Sequence, residues 1–322
     1  MKNRARTIFA VATVIILVCH VSCDNPASGS DPPDDENTTP QTITVSFDSQ
    51  GGTAVQPQSI APGSALAEPD NLENADLIFG GWHTEAACTT LWDFTLGTPS
   101  QDMTLYAKWN AADALSFTAI ASGSAYEVAR GAEDPEPCVY VPAFYRGKPV
   151  TSIAALAFYN CNSLERIAIP RTIVDISHNA FFYCGGLTNM IVHPENEHFA
   201  SIDGVLFDKP RSVLLNYPAA RGASSYEIPA GVTTLNEFAF LNATSLATVN
   251  LPRSLSAILY CAFQDCANMT QIFIPATVTT NARFAFIGCH SLVIACEAAS
   301  QPASWHAEWN YSNRPVTWGV AP

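Results

Sequence analysis

Side chains able to do chemistry are few in this sequence, and their spacing points to packing more than to reaction. Ten cysteines in a chain with an export-type leader would ordinarily read as a disulfide framework. Four of them, Cys161, Cys184, Cys266 and Cys289, fall in one recurring slot, three residues after the Phe of an Ala-Phe pair. A small, buried, weakly polar side chain suits such a slot, so these four are assigned as packing thiols. Neighbouring slots stack closely enough that a bridge between them stays sterically open. Cys88, Cys138, Cys261 and Cys296 have no assigned partner, and no Cys-x-x-Cys pair offers a structural zinc or redox site.

The one local cluster of ligand-type side chains is His193-Pro-Glu195-Asn-Glu197-His198. Its spacing fits no zinc motif and it falls where the repeat described next is interrupted, so a solvated turn is expected there, not a metal site. The sequence has no His-Glu-x-x-His, no Gly-x-Ser-x-Gly, no phosphate-cradling glycine loop and no Ser-x-x-Lys. The expectation is a protein without catalytic residues, cofactor or metal.

An internal repeat must position whatever remains. Val150-Thr-Ser-Ile153 leads to Ala157-Phe158, Cys161, Leu164 and Ile167-Ala-Ile169-Pro170, and 23 residues on come Ala180-Phe181, Cys184, Leu187, Met190 and Val192. The frame returns at Ala239-Phe240, Ala262-Phe263 and Ala285-Phe286, with Ala243 in the Cys slot of the third copy and Asn281 in an Ile slot of the fifth. Each unit pairs a short strand of alternating apolar residues with a compact turn. One unit alone cannot bury its apolar side, whereas stacked parallel strands about 4.8 Å apart share one continuous core.

Between the second and third copies the spacing is 59 residues, or 23 plus 36, so about one and a half units of chain are inserted. Ser201 to Phe207 and Ser212 to Tyr217 read as two strands around the turn Asp208-Lys-Pro-Arg211, and Tyr226-Glu-Ile-Pro229 re-enters the frame.

The pattern Val-Thr-x-Ile…Ala-Phe-x-x-Cys-x-x-Leu-x-x-Ile-x-Ile-Pro resembles the BspA-type leucine-rich repeats of bacterial surface proteins, over roughly residues 115–322. The insert resembles the hairpin that interrupts such arrays, and Trp305, Trp309 and Pro315-Val-Thr-Trp318-Gly319 resemble their C-terminal cap. Upstream, Ile43 to Phe47 and Leu105 to Trp109 alternate as strands, and Ser49-Gln-Gly-Gly52 reads as a turn. Phe47-Asp-Ser-Gln-Gly-Gly-Thr53, Phe79-Gly-Gly-Trp-His83, Trp92-Asp-Phe94 and Asp102 to Trp109 resemble the internalin B-repeat family, a small β-grasp-like module. Trp82, Trp92 and Trp109 are expected to form its core; a sugar-stacking platform is the alternative.

Lys2, Arg4 and Arg6 precede an apolar stretch from Ile8 to Cys19, too short to span a bilayer, and then Val21-Ser22-Cys23. This end resembles a bacterial lipoprotein leader, which implies lipidation at Cys23; His20 departs from that pattern, and simple secretion or retention of the segment are the alternatives. The expected organisation is a leader over 1–23, a disordered acidic, proline-rich tether over 24–41, the β module over 42–110, a cap over 111–149 and the solenoid over 150–322. Within the solenoid the hairpin insert covers about 194–229 and a C-terminal cap about 297–322. The fold class is mainly β: a leucine-rich-repeat solenoid with 23-residue repeats, parallel strands and short turns, preceded by a small β-grasp-like module.

Formal charge is +3 over residues 1–23, −12 over 24–110 and −5 over 111–322, giving the net −14. An acidic chain without a basic patch offers little to phosphate backbones, so no nucleic-acid partner is expected. With Ile167 and Ile169 inward, alternation sends Arg166 and Ala168 outward, and stacking aligns them with Asn189 and Ile191, Thr248 and Asn250, and Gln271 and Phe273. Polar rungs broken by Ile191 and Phe273 suit recognition of a protein, though ordinary exposed strand residues would look alike. Resemblance to both families implies a non-enzymatic adhesion or binding protein, exported and lipid-anchored at the cell surface. Its partner would be a host or neighbouring-cell protein or glycan. A structural envelope protein, and a hydrolase of unrecognised type, are the competing readings.

Overall fold

The computed structural model describes residues 41–69, 72–75 and 77–321. The expected leader, Cys23 and all of the 24–41 segment except Gln41 lie outside the described residues.

In β1 (Ile43–Asp48) the apolar residues Ile43, Val45 and Phe47 are buried while Thr44 and Asp48 are exposed, the period of a strand with one face on a core. With β2 (Gln58–Ile60), β3 (Ile78–His83) and β4 (Met103–Asn110) it forms a sheet ordered β2-β1-β4-β3. Its central pair β1 and β4 is parallel and the outer pairs are antiparallel. Trp82 is fully buried there, its ring 4.9 Å from Phe47 and 5.8 Å from Phe79. The half-buried Trp109 donates its indole N–H to the Ser49 carbonyl at 2.8 Å. Position 52 must be glycine, since a Cβ there would lie 2.2 Å from that indole. The tryptophans therefore pack inward and make no open platform.

The solenoid starts with an antiparallel pair, β5 (Leu115–Ile120) and β6 (Ala125–Arg130), followed by β7 (Cys138–Tyr140), β8 (Phe144–Tyr145) and β9 (Lys148–Ile153). From there β10 (Arg166–Ile169), β11 (Asp175–Ile176) and β12 (Asn189–Val192) alternate between two sheets, with the Ala-Phe turns between them. One sheet runs β12-β10-β7 and the other β11-β9-β6-β5. Pairing between successive coils is parallel, as expected for a stacked repeat.

The interruption supplies β13 (Phe199–Ile202), β14 (Val205–Asp208) and β15 (Val213–Asn216), antiparallel in turn. The sequence pattern ran one strand from Ser201 to Phe207. The structure breaks it at Asp203 and Gly204, whose φ values of 49° and 79° make a two-residue hairpin turn. Eight further strands follow, alternating between two sheets up to β22: β16 (Ser225–Glu227), β17 (Thr234–Leu235), β18 (Thr248–Asn250), β19 (Ala257–Ile258), β20 (Gln271–Ile274), β21 (Thr280–Asn281), β22 (Val293–Cys296) and β23 (Val316–Trp318). Their orders are β16-β18-β20-β22-β23 and β13-β14-β15-β17-β19-β21.

A column of rings fills the interior. Phe158 and Phe181 stack at 5.7 Å with planes 7° apart. Past the interruption Tyr217 lies 5.1 Å from Phe240, Phe240 4.9 Å from Phe263, and Phe263 5.3 Å from Phe286. Trp309 closes the column edge-on at 6.0 Å, its face flanked by Trp305 and Trp318. Tyr217 stands 23 residues before Phe240 and Trp309 stands 23 after Phe286, so both occupy ring slots that carry no Ala-Phe mark. The stretch counted as extra units is thus a single enlarged coil, 36 residues from Phe181 to Tyr217.

That coil also divides the core, which was expected to be continuous. Val205 and Phe207 pack into the interior of the second array, while Leu206, pointing the other way, packs into that of the first. One strand is the wall between two apolar interiors. Asn196 pins the enlarged coil to its neighbour: its amide N–H groups donate to the Pro170 and Ile173 carbonyls, each at 2.9 Å, and its oxygen accepts from the His198 and Phe199 amides at 2.8 and 2.7 Å. All its hydrogen-bonding capacity is used, and the expected solvated turn is built around this buried bracket.

Candidate functional site

Within each array the outer-face residues stand in the following registers. Arg166 lies beside Cys138 and Asn189, and Ala168 beside Tyr140 and Ile191. Thr248 lies beside Ser225 and Gln271, and Phe273 beside Ala295. The sheets of the two arrays do not pair with each other. The eight residues therefore form two groups, not one column, because β13 and β14 intervene.

The first group is not an open surface. Ala168 is 8% exposed, and Arg166, Asn189 and Ile191 are half-buried. Trp92 and Phe94 of the N-terminal module come over it and, with Ala168, Ile191 and His193, line a remnant gap of about 30 Å³. The Tyr140 ring meets Phe79 edge-on at 5.3 Å, and its hydroxyl donates to Glu68 Oε1 at 2.5 Å. Glu68 Oε2 lies 3.3 Å from His193 Nε2, and both side chains are only 8% exposed. A carboxylate withdrawn from water is held by such partners. Lys108 of β4 pairs with Glu136 at the same junction.

Sequence reasoning treated module and solenoid separately and missed this cover. A signal was present in Gly80-Gly81, since glycines inside a strand mark close backbone approach. Gly81 has φ 92°, and a Cβ there would lie 3.0 Å from the Tyr140 ring and 2.5 Å from Leu91.

The second group is open. Asn250 and Gln271 are exposed, Thr248 and Phe273 half-buried, and neighbouring Val293 is 48% exposed. At its margin the Arg253 guanidinium donates to both Glu297 oxygens at 2.7 and 2.6 Å, and the Ala276 amide adds a bond at 2.8 Å. The Arg253 contact, with that amide, holds the Glu297 carboxyl below its ordinary range.

The cysteine slot behaves as a packing slot. Cys161, Cys184, Cys266 and Cys289 are buried free thiols, and Cys88, Cys138, Cys261 and Cys296 are free as well. Burial pushes Cys184 up to about 12, the opposite of what a reactive thiolate needs. Among the described residues no three His, Cys, Asp or Glu side chains gather as a metal-holding group. His193 of the sequence cluster is turned onto Glu68 instead. Among the described residues no helix is long and apolar enough to cross a membrane.

Comparison with known proteins agrees with this architecture. The family model of the BspA type leucine rich repeat region matches six copies over residues 138–213 and 220–296. That of the Listeria-Bacteroides repeat domain matches residues 44–108. Over 66 residues the chain is 46% identical to a protein of Evansella cellulosilytica named a Gly-rich membrane protein, covering 20% of this chain and 8% of that one. A second protein of that organism, named a membrane protein, is 44% identical over 66 residues, covering 20% and 10%. The chain thus spans a tenth or less of the length of these curated relatives. Among solved structures, the pneumococcal vaccine antigen PcpA is 17% identical with a TM-score of 0.45, covering 81% of this chain and 74% of that one. The T. pallidum leucine rich repeat protein is 20% identical with a TM-score of 0.39, covering 66% and 99%. The chain thus carries BspA type leucine rich repeats over residues 138–213 and 220–296, behind a Listeria-Bacteroides repeat domain that coincides with the separate four-stranded sheet.

Proposed function

We propose that this chain is a non-enzymatic binding protein of the bacterial envelope, anchored by lipid at Cys23 and engaging a protein partner through the outer face of β16, β18, β20 and β22. One observation carries the reading: this face is rigidly built and left open. Val249, Ile272 and Ile274 on its inner side are at most 3% exposed, whereas Asn250, Gln271 and Val293 stand in solvent. Polar rungs around the half-buried Phe273 match the arrangement of an apolar anchor within a polar rim. The first array, covered by the N-terminal module, serves as its support.

The envelope address rests on Lys2, Arg4, Arg6, the apolar run after them and Cys23, and it agrees with the membrane-protein names of the relatives sharing the 66-residue stretch. Residues 24–41 then act as the tether between anchor and folded part.

Protease shaving of intact cells tests the address: peptides from the array are released if the reading holds, and full protection overturns it. Combining Asn250→Ala, Gln271→Ala and Phe273→Ala tests the face. Partner cross-linking on cells is lost while the thermal midpoint stays in place; unaltered cross-linking removes this face from consideration.

A further inference from the structure

The turn side of the coils carries a second surface, which strand alternation does not describe. Rings follow one another along it at contact distance: Tyr183 to Phe182 at 6.3 Å, Phe182 to Phe238 at 4.5 Å, Phe238 to Tyr260 at 5.4 Å, Tyr260 to Phe284 at 6.1 Å and Phe284 to Tyr311 at 4.8 Å. Tyr183, Tyr260 and Tyr311 are 40%, 36% and 56% exposed, and the three Phe are half-buried between them. This ladder crosses the interruption without a gap, at Phe182 and Phe238, where both the core and the strand sheets are divided.

The repeat frame does not call for a ring at Tyr183. Tyr183 occupies the slot two residues after the core Phe, where the other coils place Asn160, Asn242, Asp265 and Gly288, all with φ between 57° and 78°. Left-handed backbone favours Gly, Asn and Asp, and a bulky residue there is a costly exception. Phe238 and Phe284, at φ 58° and 60°, stand two residues before the core Phe, a slot where Leu156 and Cys261 share the left-handed backbone at φ 56° and 52°. A run of exposed Tyr and half-buried Phe rings on left-handed backbone points to a surface kept for contact.

The chemistry around the rings selects the contact. Amides intervene, at Asn160, Asn242 and Gln264, and the charges beside the rings are mixed: Glu237 and Asp265 lie near Tyr260 and Cys261, and Arg283 over the Phe284 ring is paired with Glu308. Neighbouring ring planes are turned 46–80° from one another, so they form no single flat platform; each open ring face receives the C–H face of a pyranose, and amides pair with its vicinal hydroxyls. Ring-to-ring steps between 4.5 and 6.3 Å are of the size of one unit in an extended chain of sugars, and a strip where Glu237, Asp265 and Glu308 outnumber Arg283 gives no grip to a polyanion. We propose that this aromatic ladder binds an uncharged linear polysaccharide laid across the coils. The inference concerns the turn side and stands apart from the protein-binding role of the strand face.

Calorimetric titration of the full chain with cellohexaose, chitohexaose and laminarihexaose tests it, with decaproline as a competing class of ligand. At least one hexasaccharide binds. Tyr183→Asn and Phe284→Asn, which suit the left-handed backbone and so keep or raise the thermal midpoint, each weaken it by about tenfold. Binding of none of the three, binding unchanged in both variants, or binding of decaproline alone overturns the proposal. Loss of cross-linking in the strand-face variant leaves this titration unaltered, so the two readings fail separately.

Discussion

The thiol of Cys266 donates to the carbonyl oxygen of Phe240, one coil earlier, at 3.1 Å, and the same oxygen accepts the Ala243 amide at 3.1 Å. Cys184 and Cys289 repeat the contact, to Phe158 at 2.9 Å and Phe263 at 3.0 Å. The slot selects a small side chain with a donor, which ties each coil to the one before it. Cys266→Ala should therefore cost about 1 kcal/mol, one buried hydrogen bond. Urea unfolding measures it, and an unchanged midpoint would show the bond to be idle.

Phe240 lies between the rings of Tyr217 and Phe263 and is fully buried. Phe240→Ala should cost about 3–5 kcal/mol through lost contacts and an unfilled cavity. A loss below about 1 kcal/mol in chemical denaturation contradicts a packed ring column.

Asn281 takes the place held one coil earlier by Ile258, its register partner. It is fully buried, and neither its amide nitrogen nor its amide oxygen has a partner. Asn281→Ile should stabilise the chain by about 1–3 kcal/mol, since it removes an unsatisfied polar group and restores the repeat. A lower thermal midpoint would mean that the amide is satisfied in solution.

Alkaline pH should weaken the fold. Burial pushes the thiols of Cys184 and Cys296 from 9.0 up to about 12, and the Tyr226 phenol from 10.0 up to about 12. An acid with a raised folded-state pKa keeps its proton when folded while the unfolded chain releases it. The stability involved is complete below the ordinary values and is lost as pH climbs from them toward 12. Urea midpoints at about pH 8 and about pH 10 should differ in that sense. Cys184→Ala with Cys296→Ala should shrink the difference, and an identical difference in the variant contradicts the assignment.

The period of Phe158, Phe181, Phe240, Phe263 and Phe286 was readable because each follows Ala and recurs at a fixed interval. Tyr217 and Trp309 fill the same slot without that Ala, so pattern alone passed over them. The cover on Ala168 comes from docking of one folded part on another, and Gly81 was its single local trace. Tyr183, Phe238 and Phe284 escaped because left-handed backbone at a turn obeys neither strand alternation nor helical period.

Because Val205 and Phe207 face one interior and Leu206 the other, β14 insulates the two stacks from each other. Coils can be duplicated or deleted on either side without reshaping the opposite one. The segment most often read as an interruption is thus the joint that lets each end of the molecule change length by itself.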